Sequence, residues 1–294
     1  VFFDVISNHY PRSPFPLKSK IKNKISKTQT QKCKKFFSFQ FFRFLVFGHV
    51  FFIFGFLFFI LVIGAHAYSF VVFGDNRDGD RVFKDLLTKV SREKGISFAV
   101  NTGDMVSFGK KEQYENYRKL ISILRVPVYH VPGNHDLVGE GENFFQEYFG
   151  PLYYSFDWED SHFVILNNAF GRYFDHKQFA WLKNDLAGTK ARYKFVFMHR
   201  PTFDPSELYK SHIMSGRKVT EELMRLFEKY KVNYVFAGHI HGYAKAERNG
   251  VIYVVTGGAG APLHLPPEFG GFYHYVRVEV EGGKIKDQVV RVYE

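Results

Sequence analysis

The sequence predicts a mixed α/β protein, on three observations. From Tyr68 onward, short apolar runs of strand length alternate with amphipathic stretches of helix length. The C-terminal part changes to closely spaced apolar runs separated by glycine turns. Successive apolar runs also end in Asp, Asn or His. Strand–helix repetition followed by hairpins is the signature of a mixed sheet system. In order, residues 68–74 read as a buried strand and 81–93 as an amphipathic helix. Residues 96–101 and 111–124 repeat the pair, and 126–131 form a third strand. Residues 163–167 and 193–198 are strands with a helix near 177–186 between them. A strong helix at 218–230 leads into a strand at 232–237. Residues 244–248, 251–256, 272–281 and 284–293 read as antiparallel hairpins, turning at Asn249-Gly250 and Gly282-Gly283.

The chain has 294 residues, 46% hydrophobic and 23% charged, so it is long enough for a sizeable core and is not a disordered protein. Its one cysteine, Cys33, excludes a disulfide framework and any cysteine-rich zinc module. The net charge of +11 is unevenly placed. Eight Lys, two Arg and one Asp put +9 on residues 1–43 and leave +2 on the rest. A nearly neutral body gives no reason to expect nucleic acid as a partner.

The N-terminal part reads as a targeting segment covering residues 1–67, with the remaining domain at 68–294. Residues 44–64 are almost wholly apolar, and Phe51, Phe52, Phe54, Phe56, Phe58 and Phe59 cover the full circumference of a helix. At 1.5 Å per residue such a run spans about 31 Å, enough for a bilayer. The basic flank places the N-terminus inside and the remainder outside. Ala65-His66-Ala67 has the small-x-small pattern of a signal-peptidase site. The expectation is therefore an extracytoplasmic domain. It is either secreted or periplasmic after cleavage near Ala67, or anchored with membrane contact through 44–64, and the short spacing to the first strand favours cleavage. The first methionine is Met105, so the natural start is expected either at a non-Met codon or upstream, and residues 1–40 carry no structural weight.

The strand ends carry the chemistry. Gly74-Asp75 closes the first strand and Gly103-Asp104 the second. Gly133-Asn134-His135-Asp136 follows the third, His199 the strand at 193–198, and Gly238-His239-Ile240-His241 the strand at 232–237. Ligands of α/β sheets bind at the C-terminal ends of strands, so one rim receives carboxylates, a carboxamide and imidazoles. An isolated strand-end Asp is more often a turn residue or helix cap, and it is the ordered set that stands out. Oxygen and nitrogen donors without sulfur suit two divalent ions of intermediate hardness, such as Mn, Fe or Zn. A carboxylate such as Asp104 can bridge two metals about 3.5–4 Å apart, where they acidify water and neutralise phosphate charge.

This ordered series resembles the calcineurin-like metallophosphoesterase superfamily. Within it, the chain is most similar to the bacterial, purple-acid-phosphatase-like branch without the tyrosine ligand. The resemblance implies a four-layer αββα sandwich of two mixed β-sheets, with the metal site at the C-terminal rim of the strands. It implies hydrolysis of a phosphate-ester substrate, monoester or diester, by hydroxide held on a dinuclear centre. Residue by residue, Asp75 would ligate the first metal and Asp104 would bridge. Asn134, His199 and His239 would complete the second, and His241 would return to the first. His135 would be the catalytic histidine, with Asp136 pairing with its imidazolium, and Asn134 would help hold the phosphate oxygens.

Two departures matter. Where many members place a metal-binding His, the chain has Arg77, which stays protonated and cannot ligate. Ser107 stands where the purple acid phosphatases use a tyrosine. Arg77 has two readings, a bidentate partner for the substrate phosphate or a salt bridge to Asp78 or Asp80. Arg200 and His264 are candidates for the pocket wall, and His212 is expected to be solvated. Phe144, Phe145, Tyr148 and Phe149 are expected in the core. Gly74–79 is not followed by Lys-Ser/Thr, and no Gly-x-Ser-x-Gly occurs, so a Walker-type phosphate loop and a nucleophile elbow are excluded. The rival readings are a nuclease-like phosphodiesterase and a catalytically silent binding module on the same fold.

Overall fold

The computed structural model describes residues 67–171 and 174–294. In chain order they form β1 (Tyr68–Phe73), α1 (Asp80–Val90), β2 (Ile96–Asn101), α2 (Lys111–Ile121), β3 (Val128–His130) and α3 (Gly141–Phe149). These are followed by β4 (Tyr154–Trp158), β5 (Ser161–Ile165), α4 (His176–Gly188), β6 (Tyr193–Met198), α5 (Arg217–Lys229) and β7 (Tyr234–Ala237). The chain closes with β8 (Tyr243–Arg248), β9 (Val251–Thr256), β10 (His274–Glu281) and β11 (Lys284–Arg291). All the strands and helices expected from the sequence after Tyr68 are present, with ends shifted by a few residues. Two elements lie outside that set, α3 and β4. In α3 the aromatic residues at 144, 145, 148 and 149 follow helical spacing, and Phe145 is buried against the α2 layer as the core reading expected. In β4 the residues Tyr154, Phe156 and Trp158 alternate toward the core with Ser155 and Asp157 between them.

The strands form two mixed sheets, β11-β10-β1-β2-β3 and β4-β5-β6-β7-β9-β8. β1, β2 and β3 are parallel, as are β5, β6, β7 and β9. Period-two alternation then divides the apolar side chains into layers. Phe70, Val72, Phe98, Val100, Phe163, Ile165, Phe195 and Phe197 meet between the sheets. Val71, Phe73 and Ala99 face α1, α2 and α3 on one side. Val164, Val196 and Met198 face α4 and α5 on the other. The result is a four-layer αββα sandwich. Because both faces of the central strands are covered, their sequences read as unbroken apolar runs.

The two C-terminal hairpins form as expected. Asn249-Gly250 and Gly282-Gly283 all have positive φ, matching two-residue turns of the primed type. Among the described residues no helix is long and apolar enough to cross a membrane. The basic segment and the apolar run of 44–64 lie outside the described residues.

At the far end of β5 from the strand-end loops, His162 is clamped between Asp157 (Nδ1, 2.6 Å) and Asp185 (Nε2, 2.8 Å). Burial disfavours its imidazolium, but the two carboxylates outweigh this and raise the pKa. A raised folded-state pKa gives stability that is fully present below the unfolded value, near pH 6.5, and is lost as pH rises through the folded value. His162→Gln is therefore expected to lower the denaturation midpoint more at pH 5.5 than at pH 8.5. An equal loss at both pH values would contradict the charge assignment.

Candidate metal centre

The turns off β1, β2, β3, β6 and β7 deliver polar side chains to the same rim. After β1 the chain passes Gly74, where a Cβ would overlap Thr102 Oγ1, and reaches Asp75. After β2 comes Asp104, packed so closely on Gly133 that a Cβ there would overlap the Asp104 backbone nitrogen. Asp75, Asp104 and His239 have φ of 58°, 53° and 66°. Left-handed backbone at a non-glycine residue is uncommon and clusters at functional sites. Three of the six expected metal ligands share it.

Asp104 is the hub and is 1% exposed. Its Oδ1 accepts the His135 backbone N–H (2.9 Å) and lies 3.4 Å from His199 Nε2. Its Oδ2 lies 3.5 Å from Arg77 Nε and 4.0 Å from His135 Nε2. Asp75 accepts the His239 backbone N–H at both oxygens (3.1 and 3.0 Å), and its Oδ1 is 3.4 Å from His241 Nε2. Among the described residues, two groups of three donors could each hold a metal ion: Asp104, His199 and His239, and Asp75, Asp104 and His241. Within each, the donor atoms lie within 4.8 Å of one another, and Asp104 belongs to both. Asn134 Oδ1 joins the first group, 3.1 Å from His199 Nε2.

The donor chemistry fits cations. His199 Nδ1 donates to the Thr102 carbonyl (2.9 Å) and His241 Nδ1 to the Pro262 carbonyl (2.7 Å). Each neutral ring therefore turns an Nε2 lone pair inward, the tautomer that metal-binding histidines adopt. The His199 lone pair meets Asn134 Oδ1, Asp104 Oδ1 and His239 Nδ1, the last at 3.1 Å. Asn134 Oδ1 and Asp104 Oδ1 are acceptors and His239 Nδ1 is one in the tautomer protonated at Nε2, a set that suits a cation among them. When protons alone supply the positive charge, burial disfavours the His199 imidazolium, but the Asp104 carboxylate holds its pKa up to about 9. Burial and the neighbouring His199 charge depress His239 strongly. Burial acts against charge at His241 too, where Asp75 prevails and raises the pKa. For Asp104, burial is outweighed by His199 and His135, which hold its carboxyl well below the usual range.

The expected pairing of Asp136 with His135 does not form. The buried Asp136 carboxylate instead accepts backbone N–H groups of Asp104 (2.9 Å), Met105 (2.8 Å), Val106 (3.1 Å) and Gly133 (2.7 Å), pinning the second and third loops together. Burial, then repulsion from Asp104, pushes its pKa up to about 7. His135 is oriented by the Ser107 carbonyl, which accepts from Nδ1 at 2.9 Å and leaves Nε2 facing the Asp104 side. Arg77 does form the salt bridge to Asp78, Nη1 to Oδ2 at 3.0 Å. Its buried Nε has no hydrogen-bond partner and faces Asp104.

Several neighbours of the centre carry little or no sequence signal. His212, expected to be solvated, is half-buried, with its ring 5.6 Å from that of His239 and 5.3 Å from that of His264. His264 stacks on His241 (3.8 Å, 12°) and accepts its backbone N–H at Nδ1 (3.2 Å). Tyr209 reaches across to donate to the His264 carbonyl (2.6 Å). Asn168 Oδ1 accepts the backbone N–H groups of His199 and Arg200, both at 3.0 Å. Arg200 Nη2 lies 3.4 Å from Asn134 Oδ1. Asn168 sits just past a strand end like the expected ligands, and that position was its only signal. For Tyr209 and His212 there was none.

Residues 68–243 match the sequence profile of the family described as Calcineurin-like phosphoesterase. The chain belongs to this family. Purple acid phosphatase 23 of Arabidopsis thaliana is 30% identical over 176 residues, which are 53% of this chain and 36% of that protein. Fe(3+)-Zn(2+) purple acid phosphatase 12 of the same plant is 30% identical over 119 residues, 38% of this chain and 24% of that protein. The chain thus spans about a third or less of the length of these curated relatives. The purple acid phosphatase PPD1 of yellow lupin (Lupinus luteus) shares the fold, with a TM-score of 0.66 at 18% identity over 78% of this chain and 52% of that one. The calcineurin-like phosphoesterase match ends at residue 243, where β8 begins.

Proposed function

We propose that the chain hydrolyses phosphate esters at a pair of divalent metal ions. One observation carries this reading: two three-donor groups share the buried Asp104 carboxylate. Asp75, Asp104 and His241 would hold the first metal, and Asp104, Asn134, His199 and His239 the second. When bound, such a pair acts as a Lewis acid on the phosphoryl oxygens and activates water. The all-oxygen-and-nitrogen donor set suits Mn, Fe or Zn. A relative whose name specifies Fe(3+)-Zn(2+) supports that choice.

The chain's own residues supply the rest. His135, held at Nδ1 by the Ser107 carbonyl, turns Nε2 toward the leaving-group oxygen, where its imidazolium form, protonated at both nitrogens, would act as hydrogen-bond donor and proton source. Arg77 and Arg200 approach Asp104 and Asn134 and bring two permanent cations to an incoming phosphate. Asn134 holds its carboxamide between Arg200 and His199, where it orients both.

The test is a metal assay with paired chromogenic phosphate monoester and diester substrates. Stoichiometric Mn, Fe or Zn is expected, with turnover of one substrate class that a chelator abolishes and added metal restores. Turnover that survives complete metal removal would exclude this reading, and absence of both metal and turnover would favour a silent binding module. The reading also includes export of the domain, resting on the basic flank and apolar run before residue 65. The mass of the natural N-terminus tests it.

A further inference from the structure

Four buried polar side chains behind the metal centre form a chain that takes no part in the proposed reaction: Asn76, Asn101, Tyr117 and His130. We infer that this chain is a positioning device, which sets the spacing of the three loops carrying Asp75, Asp104 and Asn134. The inference rests on the metallophosphoesterase reading.

Hydrogen-bond chemistry fixes the direction of the chain at Asn101 and Asn76. Asn101 Oδ1 accepts the Gly103 backbone N–H (2.9 Å), so its amide nitrogen must face the other way. That nitrogen donates one hydrogen to Asn76 Oδ1 (3.0 Å) and the other to Tyr117 Oη (3.1 Å). Asn76 then donates through Nδ2 to the Met105 carbonyl (3.0 Å). Tyr117 then has its hydroxyl proton to place, and His130 Nε2 at 3.0 Å can accept it. In that arrangement His130 is neutral, the form that burial favours by lowering its pKa to about 3. No donor meets a donor anywhere along the chain.

Its contacts flank the ligands without touching them. Asn76 follows Asp75, Gly103 and Met105 bracket Asp104, and His130 ends β3 just before the Asn134 loop. Tyr117 clamps the set from α2, with its ring stacked on Phe83 (5.8 Å) and edge-on to His130 (5.7 Å). The strands have their own ladders through β1–β2 and β2–β3, and Thr102 N–H and Val131 N–H extend them by one step. Beyond that step the backbone turns into left-handed conformations at Asp75 and Asp104. Two backbone hydrogen bonds, Asp75 N–H to the Gly103 carbonyl (2.9 Å) and Arg77 N–H to the Asp104 carbonyl (3.1 Å), tie the first two loops, and the Asp136 carboxylate ties the second to the third. The side-chain relay adds to these ties and links them to α2 and the end of β3 through Tyr117 and His130. Loss of the chain should therefore loosen ligand spacing before it unfolds the sheet.

Tyr117→Phe keeps both ring contacts and removes the hydroxyl. Wild type and variant would be titrated with Zn²⁺ and Mn²⁺ by equilibrium dialysis, well below the melting temperature of the metal-free protein. Metal affinity is expected to fall about 10-fold, the low end of what losing a group bonded directly to a metal ligand costs, because Tyr117 acts one bond further out. His130→Gln, which keeps an acceptor for Tyr117, should hold near-wild-type affinity, and His130→Phe should lose it. If Tyr117→Phe does not fold, the His130 pair decides in its place. Wild-type affinity in Tyr117→Phe, or equal affinities in the two His130 variants, would overturn the inference. A wild type that binds neither metal would overturn the function proposed above and this inference with it.

Discussion

Asp104→Asn is expected to abolish binding of both metals and to lower kcat/KM by more than about 10³-fold, beyond the ~10²–10³ that losing one electrostatic donor costs. The reason is topological, since Asp104 alone belongs to both donor groups. Asn suits the test because it tolerates the left-handed backbone at this position (φ 53°) better than most residues. It also keeps an oxygen for the His135 backbone N–H. The metal-free variant should melt lower than the metal-free wild type near neutral pH, because a carboxyl held below its usual range, against burial, by His199 and His135 contributes stability that an amide cannot. Relief of the repulsion that adds to burial in lifting Asp136 offsets part of this loss. Metal stoichiometry by elemental analysis and melting of the stripped proteins measure the two parts. Loss of one metal with retention of the other would show that Asp104 is not shared.

Phe70→Ala is expected to cost about 3–5 kcal/mol, the usual range for emptying a buried phenylalanine site. That is a large part of the roughly 5–15 kcal/mol that holds a typical domain together. Phe70 is fully buried between the sheets, stacked on Phe98 (5.1 Å) and edge-on to Phe163 (5.4 Å) and Phe195 (5.2 Å). Those partners come from both sheets, so the cavity would open in the layer that joins them. Chemical denaturation followed by fluorescence measures the loss. A cost below about 1 kcal/mol would mean that the layer repacks freely, against the close packing expected of an aromatic core.

Much of the site was visible in the sequence because each expected ligand follows an apolar strand at once. Asp75, Asp104, Asn134, His199, His239 and His241 stand where a buried run stops, and glycines mark the turns. The sequence does not carry orientation. Asp136 neighbours His135 in the chain, so pairing them was a reasonable expectation. Left-handed Asp104 and tightly packed Gly133 instead turn the Asp136 carboxylate toward four backbone N–H groups, and Ser107 takes the histidine. Arg77 shows the same limit, since its proximity to Asp78 was legible and its buried Nε facing Asp104 was not. His212 and Tyr209 lie in a long loop without periodicity, and only packing against His239 and His264 brings them to the centre.

Local rules were sufficient for the strand–helix alternation, the two glycine hairpins and the polar stop at each strand end, because side-chain period and turn chemistry act over a few residues. They could not assign the hairpins to sheets. β8 and β9 extend one sheet and β10 and β11 the other, with β10 inserted beside β1 far away in sequence. Nor could they show that donors from the two sheets meet around Asp104, with hydrogen bonds already spent on Thr102, Pro262 and Ser107. Those choices depend on which buried faces fit together and on where each buried polar atom finds its partner. Both are settled only once distant segments have packed.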